Sequence, residues 1–224
     1  KVVGVLNDYF AEMAAIIDKW DGTLDKYLGD GFLAFWGAPT VQENHAELAL
    51  RCSLEMVATM KRLQRKWIGA DTAPLNMGIG LNTGDMVVGN MGTPKKMDYT
   101  IMGNSVNLAA RLEGVNKQYG TWILASEATY KETGSELLAR RLDRVRVVGI
   151  ATPVRLYEIM DLRADASSTA RDNLDIFHAG IDWFEKKDWV RAGKSFQEVL
   201  KRWPGDGPAE TFLKRCNDYE QKPP

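Results

Sequence analysis

Cysteine is nearly absent from this chain of 224 residues, which contains only Cys52 and Cys216. Two distant cysteines, in a chain with two histidines, make neither a disulfide framework nor the Cys/His spacing of a zinc site. Such sparse cysteine usage is typical of a reducing compartment. We therefore expect a cytoplasmic location, either as a free protein or as the cytoplasmic part of a membrane-bound receptor.

Long apolar runs and an excess of one charge are also missing. No stretch has the length and apolar character of a membrane span, and the first residues do not resemble a signal peptide, so we expect no membrane contact by this segment. A net charge of -1 provides no basic field for nucleic acid. The composition, 45% hydrophobic and 26% charged, is that of a globular protein with a sizeable core.

Helical and strand patterns alternate over the first 160 residues. Apolar residues recur at helical spacing over 2–19 and 43–67, and a further helix is expected to begin near Ser105, a plausible N-cap. Strands are predicted as pairs over 24–37, over 73–92 around the "NTGD" turn and over 138–160, with a short strand at 122–126. The sequence therefore predicts an α+β fold, a mostly antiparallel sheet covered by helices.

The composition changes at residues 161–173, which are mostly polar and predict a linker. Residues 174–221 look wholly helical. Their small and aromatic residues resemble one tetratricopeptide unit, a helical hairpin with Gly180 at the crossing and Pro204 at the exit. One such unit cannot bury its apolar face alone, so we expect it to pack on the first domain or on another chain. A plain helical cap and a peptide-binding segment fit this pattern equally well.

Four polar residues are candidates for chemistry. Asp30 lies between two glycines in "DKYLGDGFLAFWG"; such a turn is an ordinary hairpin signal, but a carboxylate without bulky neighbours can also face a cation. Asn107 and Arg111 are four residues apart and share one helix face, which is either solvated or part of a site. Strand alternation puts Lys26 on the same face as Leu28, where an exposed lysine without function is the simpler explanation.

Three stretches together resemble a known family. They are "GTLDKYLGDGFLAFWGAP", "GIGLNTGDMVVGNMGT" and "DYTIMGNSVNLAARLE", and in this order they are similar to successive signatures of the class III nucleotidyl cyclase catalytic domain. The resemblance covers about residues 1–160. It implies a ferredoxin-like core that works as a head-to-tail homodimer, with active sites at the interface. The chain would then consist of this domain, the linker and the tetratricopeptide-like segment.

The resemblance also implies roles for individual residues. Asp30 corresponds to the second of two aspartates that hold two divalent cations, Mg²⁺ or Mn²⁺, on the nucleotide phosphates. Asn107 corresponds to the asparagine that orients the ribose, and Arg111 to the arginine that stabilises the transition state. Lys26 corresponds to the purine-reading lysine, and Thr100 stands where many adenylyl cyclases carry aspartate and some bacterial ones threonine. A lysine donor suits adenine N1 and a threonine hydroxyl can accept from the 6-amino group, so ATP is favoured over GTP.

Two departures from the family pattern are visible. The family's first metal aspartate lies on a strand before the helix that opens this sequence, so that strand and its aspartate are expected to be missing. We therefore expect a fragment of a longer chain, with any sensor upstream. Val148 stands where many members carry a lysine for the terminal phosphates, and Arg144 or Arg146 on the same strand are the candidates to compensate.

The leading hypothesis is an adenylyl cyclase that makes 3′,5′-cyclic AMP and pyrophosphate from ATP. The alternative is a catalytically silent nucleotide-binding or dimerisation module that signals through its C-terminal helices; the missing aspartate and Val148 favour it. A scaffold whose tail binds a protein partner ranks third. A guanylyl or diguanylate cyclase is remote, because Lys26 argues against the former and a helix bearing Asn107 and Arg111 is not expected of the latter.

Overall fold

A computed structural model describes residues 2–67, 75–133, 136–145 and 153–224. The helices are α1 (Val2–Lys19), α2 (His45–Trp67), α3 (Asn104–Tyr119), α4 (Glu127–Glu132), α5 (Ser168–Glu185), α6 (Trp189–Arg202) and α7 (Gly207–Gln221). The strands are β1 (Thr23–Leu28), β2 (Gly31–Phe35), β3 (Ile79–Leu81), β4 (Val87–Thr93), β5 (Lys96–Met102), β6 (Ile123–Ser126), β7 (Leu137–Val145) and β8 (Val154–Leu162).

A four-stranded sheet in the order β3-β6-β8-β7 lies at the centre. β3 runs parallel to β6, and the other two pairs are antiparallel. β1 with β2 and β4 with β5 form two separate antiparallel hairpins. The predicted α+β class and the closing hairpin, β7 with β8, are confirmed.

The central sheet is covered by helices on both faces. Ile123 and Ala125 of β6 face Leu50 and Val57 of α2, whereas Leu124, between them, faces the other side. This alternation is what a strand buried on both faces requires. On the second face, α3 and the three C-terminal helices complete the core.

Two details differ from the sequence-based expectation. The strands beside the "NTGD" turn do not pair with each other: β3 pairs with β6, and β4 pairs with β5, whose first four residues are exposed and therefore show no alternation. The predicted N-cap at Ser105 is wrong, because α3 begins one residue earlier and Gly103 is its N-cap. Ser105 lies in the first turn, where its carbonyl accepts a hydrogen bond from Asn82 Nδ2 at 3.0 Å.

The C-terminal segment contains three helices where the pattern suggested a hairpin. β8 reaches Leu162 and α5 begins at Ser168, so the connection is shorter than the linker expected at 161–173. Gly180 lies at the α5–α6 crossing as predicted, since a Cβ there would stand 2.8 Å from the Phe196 ring. Of the two expected partners, the first domain or another chain, the structure shows the first: the segment packs there through a buried aromatic cluster that includes Phe177, Phe196 and Phe212. The tetratricopeptide resemblance stays a prediction.

A buried ion network joins these helices to the sheet. Arg140 of β7 pairs with Glu158 of β8 at 2.9 Å and with Asp206, the N-cap of α7, at 2.6 Å. Its guanidinium also lies over the Phe177 ring. Burial opposes the charge on Arg140, but the two carboxylates outweigh it, so the Arg140 pKa is raised.

α7 is also fixed to the end of α3. Thr211 Oγ1 donates to the Gln118 carbonyl at 3.2 Å, and Phe212 stacks on Tyr119. The backbones approach so closely that a Cβ on Gly207 would stand 2.0 Å from the Tyr119 carbonyl oxygen.

None of the helices in the described part of the chain combines the length and the apolar character that a membrane span requires.

Candidate active site

Asp30 lies in the two-residue turn that joins β1 to β2. Leu28 pairs with Gly31 across the turn, which leaves Gly29 and Asp30 as the loop. Gly29 has φ +67, a conformation that favours glycine, and a Cβ there would meet nothing within 4 Å. The turn therefore holds the exposed Asp30 carboxylate at the hairpin tip with open space beside it.

The surroundings of Asp30 do not complete a metal site. One titratable group that the Asp30 charge reaches is Tyr9 of α1, whose pKa is raised to about 12 by burial and, secondarily, by that charge. In the described ranges, no group of three or more His, Cys, Asp or Glu side chains could hold a metal ion. Mg²⁺ takes six oxygen ligands, of which a nucleotide site usually supplies one or two protein carboxylates while water and phosphate oxygens supply the rest, so a pair of cations calls for a further carboxylate beside Asp30. The described residues therefore do not by themselves fit the expected pair of cations.

α3 presents Asn107 and Arg111 to solvent and buries the opposite side. Both side chains are exposed, one helical turn apart, while Leu108 and Leu112 are buried in the core. Gly80 of β3 lets α3 lie directly on the sheet, because a Cβ there would stand 2.1 Å from the Ala109 carbonyl oxygen. The prediction that Asn107 and Arg111 share one face is confirmed, and the packing of α3 fixes the direction of that face.

Lys26 and Thr100 meet at a third residue, Asp25. Thr100 Oγ1 donates a hydrogen bond to Asp25 Oδ2 at 2.5 Å, and Lys26 Nζ lies 3.4 Å from Asp25 Oδ1. The Asp25 side chain is 1% exposed, whereas that of Lys26 is 38% exposed. The structure thus brings together the two residues that the resemblance assigns to the purine base, one from β1 and one from β5.

Asp25 is a residue that the sequence analysis missed. The pairing of β1 with β2 shifts between Leu24, opposite Ala34, and Lys26, opposite Leu33, so Asp25 is the extra residue of a β-bulge. A bulge changes the direction of the side chains beside it, and regular alternation does not predict this. The only signal in the sequence was the position of an acidic residue directly before Lys26.

Of the three residues considered for the terminal phosphates, Arg144, Arg146 and Val148, the structure describes Arg144. Val148 and Arg146 lie outside the described residues. Arg144 is exposed on β7, opposite Arg155, and its backbone N–H donates to Asp143 Oδ1 at 2.7 Å. Compensation of Val148 by an arginine stays a prediction.

Residues 1–160 match the family described as "Adenylate and Guanylate cyclase catalytic domain". Adenylate cyclase 1 of Rhizobium meliloti is 32% identical over 169 residues, which are 75% of this chain and 25% of that protein. An adenylate cyclase of Anabaena cylindrica is 33% identical over 158 residues, 69% of this chain and 31% of that protein. The chain thus spans less than a third of the length of these two relatives.

Solved structures agree with the family match. The adenylyl cyclase CyaB from P. aeruginosa superposes with a TM-score of 0.67 at 36% identity, over 74% of this chain and 85% of that chain. The guanylyl cyclase Cya2 gives a TM-score of 0.65, also at 36% identity, over 74% and 83%. The expected cyclase core is confirmed, although this similarity does not separate the two purine substrates. By sequence and by fold, this chain belongs to the adenylate and guanylate cyclase catalytic domain family.

Proposed function

We propose that this chain is the catalytic part of an adenylyl cyclase, which converts ATP to 3′,5′-cyclic AMP and pyrophosphate. In this reaction a bond forms between O3′ and the α-phosphorus, and the bond from that phosphorus to the oxygen bridging the β-phosphorus breaks. Pyrophosphate leaves, and the 3′-hydroxyl proton passes to solvent. The observation that carries the proposal is the meeting of Lys26 and Thr100 at Asp25.

These two side chains suit the edge of adenine. Adenine presents an acceptor at N1 beside a donor, the 6-amino group, whereas guanine presents a donor at N1–H beside an acceptor, O6. Lys26 can only donate, which suits N1 of adenine, and the oxygen of Thr100 can accept from the 6-amino group. A guanine in the same orientation would place its N1–H against the ammonium donor.

Asn107 and Arg111 are proposed to act on the ribose and the phosphates. An asparagine amide both donates and accepts, so it can orient a sugar hydroxyl or ring oxygen. The Arg111 guanidinium binds two oxygens at once and keeps its charge, which suits the negative charge that builds up on a transferring phosphoryl group. Because both project from one face of a packed helix, they would approach the nucleotide together.

We further propose that two copies share each active site, with Asp30 of one copy serving Asn107 and Arg111 of the other. Apolar side chains are exposed on the two hairpins: Tyr27, Leu28, Val87, Met97, Tyr99 and Met102. Exposed apolar surface of this kind is typical of a face that another protein surface covers. Among similar structures, a guanylyl cyclase domain from Blastocladiella emersonii, 26% identical with a TM-score of 0.60, is described as a non-canonical dimer.

Divalent cations belong to the same proposal. Cyclases of this family generally use divalent metal ions, and Asp30 is the residue of this chain that we propose as a ligand. Asp30 would supply one carboxylate, and a second protein carboxylate, the nucleotide phosphates and water would supply the remaining ligands.

The test is the production of cyclic nucleotide by the full-length protein, with ATP and GTP in parallel and Mn²⁺ present. We expect cyclic AMP from ATP, a rate that rises more than linearly with protein concentration, and a loss of at least about a hundredfold in Asn107→Ala and Arg111→Ala. Lys117→Ala, exposed on the same helix, is the matched control and should keep its rate.

Complementation tests the shared site directly. Asp30→Ala and Arg111→Ala should each be inactive, yet their mixture should regain about a quarter of the wild-type rate, since half of the dimers are mixed and hold one intact site of two. A mixture as inactive as its components would contradict the shared site. Full activity in both single variants would contradict the residue assignment.

The second candidate function is a silent module that binds nucleotide and signals through its C-terminal helices, for which those helices would need a protein partner. The contacts of α7 with the end of α3, the helix that carries Asn107 and Arg111, favour it. Nucleotide binding without any cyclic product, in the full-length protein with Mn²⁺, would support this module and contradict the cyclase.

A further inference from the structure

We infer that Asp25 is a positioning residue that sets the base preference of the site by fixing the direction of the Thr100 hydroxyl. The inference rests on the proposed cyclase function and deepens it. Asp25 itself would not touch the nucleotide, because it lies beneath Lys26 and Thr100 with 1% of its side chain exposed. It would act through the threonine.

The argument begins with the single proton of Thr100. A threonine hydroxyl has one hydrogen to donate and two lone pairs, and it rotates freely unless a partner holds it. A free hydroxyl could therefore accept from the 6-amino group of adenine or donate to O6 of guanine. Thr100 alone would discriminate poorly between the two bases.

Asp25 removes that freedom. As a carboxylate it can only accept, so the 2.5 Å contact between Thr100 Oγ1 and Asp25 Oδ2 commits the hydroxyl proton to Asp25. Hydrogen bonds to an ionised group are short and strong. This one is also shielded from water, because Thr100 is only 8% exposed. What Thr100 can still offer is a lone pair, which suits a donor such as the 6-amino group of adenine and not the O6 of guanine.

Two further observations favour a role beyond joining β1 to β5. Asp25 is the extra residue of the β1 bulge, and bulges are common beside active sites, where they redirect side chains. In addition, Asp25 Oδ1 is buried without a hydrogen-bond partner among the described residues, and Lys26 Nζ lies 3.4 Å away. A buried carboxylate left half-satisfied costs stability, which is typical of a functional site.

The experiment compares kcat/KM for ATP and GTP in the full-length protein. Asp25→Leu keeps the approximate size of the side chain and removes every acceptor, so the hydroxyl becomes free to donate to O6. We expect the ratio of ATP to GTP to fall about tenfold, mainly because GTP is used better. Asp25→Asn retains a carbonyl oxygen that can accept from Thr100, so it should keep most of the preference.

A double-mutant cycle separates this role from a structural one. In the background of Thr100→Val there is no hydroxyl to orient, so Asp25→Leu should change the ratio no further. Asp172→Asn, an exposed acid on α5, controls for general effects and should leave the ratio unchanged. If Asp25→Leu does not fold, Asp25→Ala removes the same acceptor without adding bulk.

The outcomes are distinguishable from those of the proposed function. A wild-type cyclase whose Asp25→Leu and Asp25→Ala variants keep the ratio within twofold overturns the inference and leaves the cyclase intact. If the wild type binds nucleotide without turnover, the proposed function fails, and the ratio of ATP to GTP affinities in the same variants decides the inference. A wild type that binds neither nucleotide overturns both.

Discussion

The two hairpins expose large apolar side chains, whereas the C-terminal helices bury theirs, together with a group of charged side chains. The hairpin side, formed by β1, β2, β4 and β5, exposes six large apolar side chains. The tail side, formed by α5, α6 and α7 and the surface they cover, exposes one in the described residues, Val190, and buries its aromatic rings and a three-membered ion network. The apolar side chains of the tail are thus buried within the single chain, whereas those of the hairpins are exposed in it.

This difference indicates where stability and activity reside. Substitutions of buried residues on the tail side should lower the free energy of unfolding, because buried groups lose their partners there. Substitutions on the hairpin side should leave the single chain folded and act on assembly or on the nucleotide.

The largest expected effect comes from breaking the buried network with Arg140→Ala. Glu158 and Asp206 would remain buried without their cation, and loss of one partner of a buried ion pair costs about 3–5 kcal/mol. Chemical denaturation measures the loss in the free energy of unfolding. Arg62→Ala, which breaks the exposed pair with Glu12 at 3.0 Å, is the control and should cost less than about 1 kcal/mol. Equal losses in the two variants would contradict the comparison.

The second effect concerns pH and His178 on the tail side. Burial, followed by the charge of Arg141, lowers the His178 pKa from 6.5 to about 4, and the neutral ring accepts a hydrogen bond from the Arg141 backbone N–H at 2.9 Å. The stability that comes from this shift is complete above pH 6.5 and is lost as the pH falls towards 4, because the unfolded chain then binds the proton more readily. The shift corresponds to about 3 kcal/mol.

Denaturation curves between pH 7 and pH 4 measure this loss. In His178→Gln the decrease over that range should be smaller by the contribution of the histidine. A variant with the same pH dependence as the wild type would show that His178 is not responsible.

A smaller effect is expected at the α5–α6 crossing. Gly180→Ala would place a methyl group 2.8 Å from the Phe196 ring, and overpacking of this kind costs about 1–3 kcal/mol. Gly193→Ala on α6 is the matched control, since its methyl group would meet Cys216 and Leu213 at an ordinary 3.7 Å. There the higher helix propensity of alanine should leave stability unchanged or raise it by up to about 1 kcal/mol. Thermal unfolding of the two variants gives the comparison.

The smallest effect on stability is expected on the hairpin side. Met102→Ser replaces an exposed side chain and should change the free energy of unfolding by less than about 0.5 kcal/mol. It should nevertheless weaken self-association of the full-length protein, measured by sedimentation, if the hairpins meet a second copy. Val190→Ser, on the tail side, should lower neither the free energy of unfolding nor self-association. Unchanged self-association in Met102→Ser would remove this face from the proposed dimer.

The sequence predicted those parts of the fold in which local pattern and packing agree. α1 and α2 follow from apolar residues at helical spacing, and the closing hairpin follows from two β-rich runs. β5 escaped prediction because its first four residues are exposed and carry no alternation. The pairing of β3 with β6, which are 44 residues apart at Ile79 and Ile123, depends on long-range contacts that a local pattern does not contain.

The candidate site shows the same limit on a smaller scale. Lys26, Asp30, Asn107 and Arg111 stood out by their local setting, and the motifs of the family added Thr100 and gave all five their expected roles. Asp25 was not identified, since its inward direction depends on a bulge, and a bulge is set by the pairing of two strands. Regular alternation fails where the backbone departs from regular geometry, as it does beside this site.

The attachment of α7 to the end of α3 has a mechanical consequence. Thr211 and Phe212 hold the last turn of α3, and Asn107 and Arg111 lie on the first half of the same helix. A helix of 16 residues is about 24 Å long and behaves as a rod. A displacement of α7 that tilts α3 would therefore move Asn107 and Arg111 together, so the position of the tail is mechanically coupled to that of both side chains.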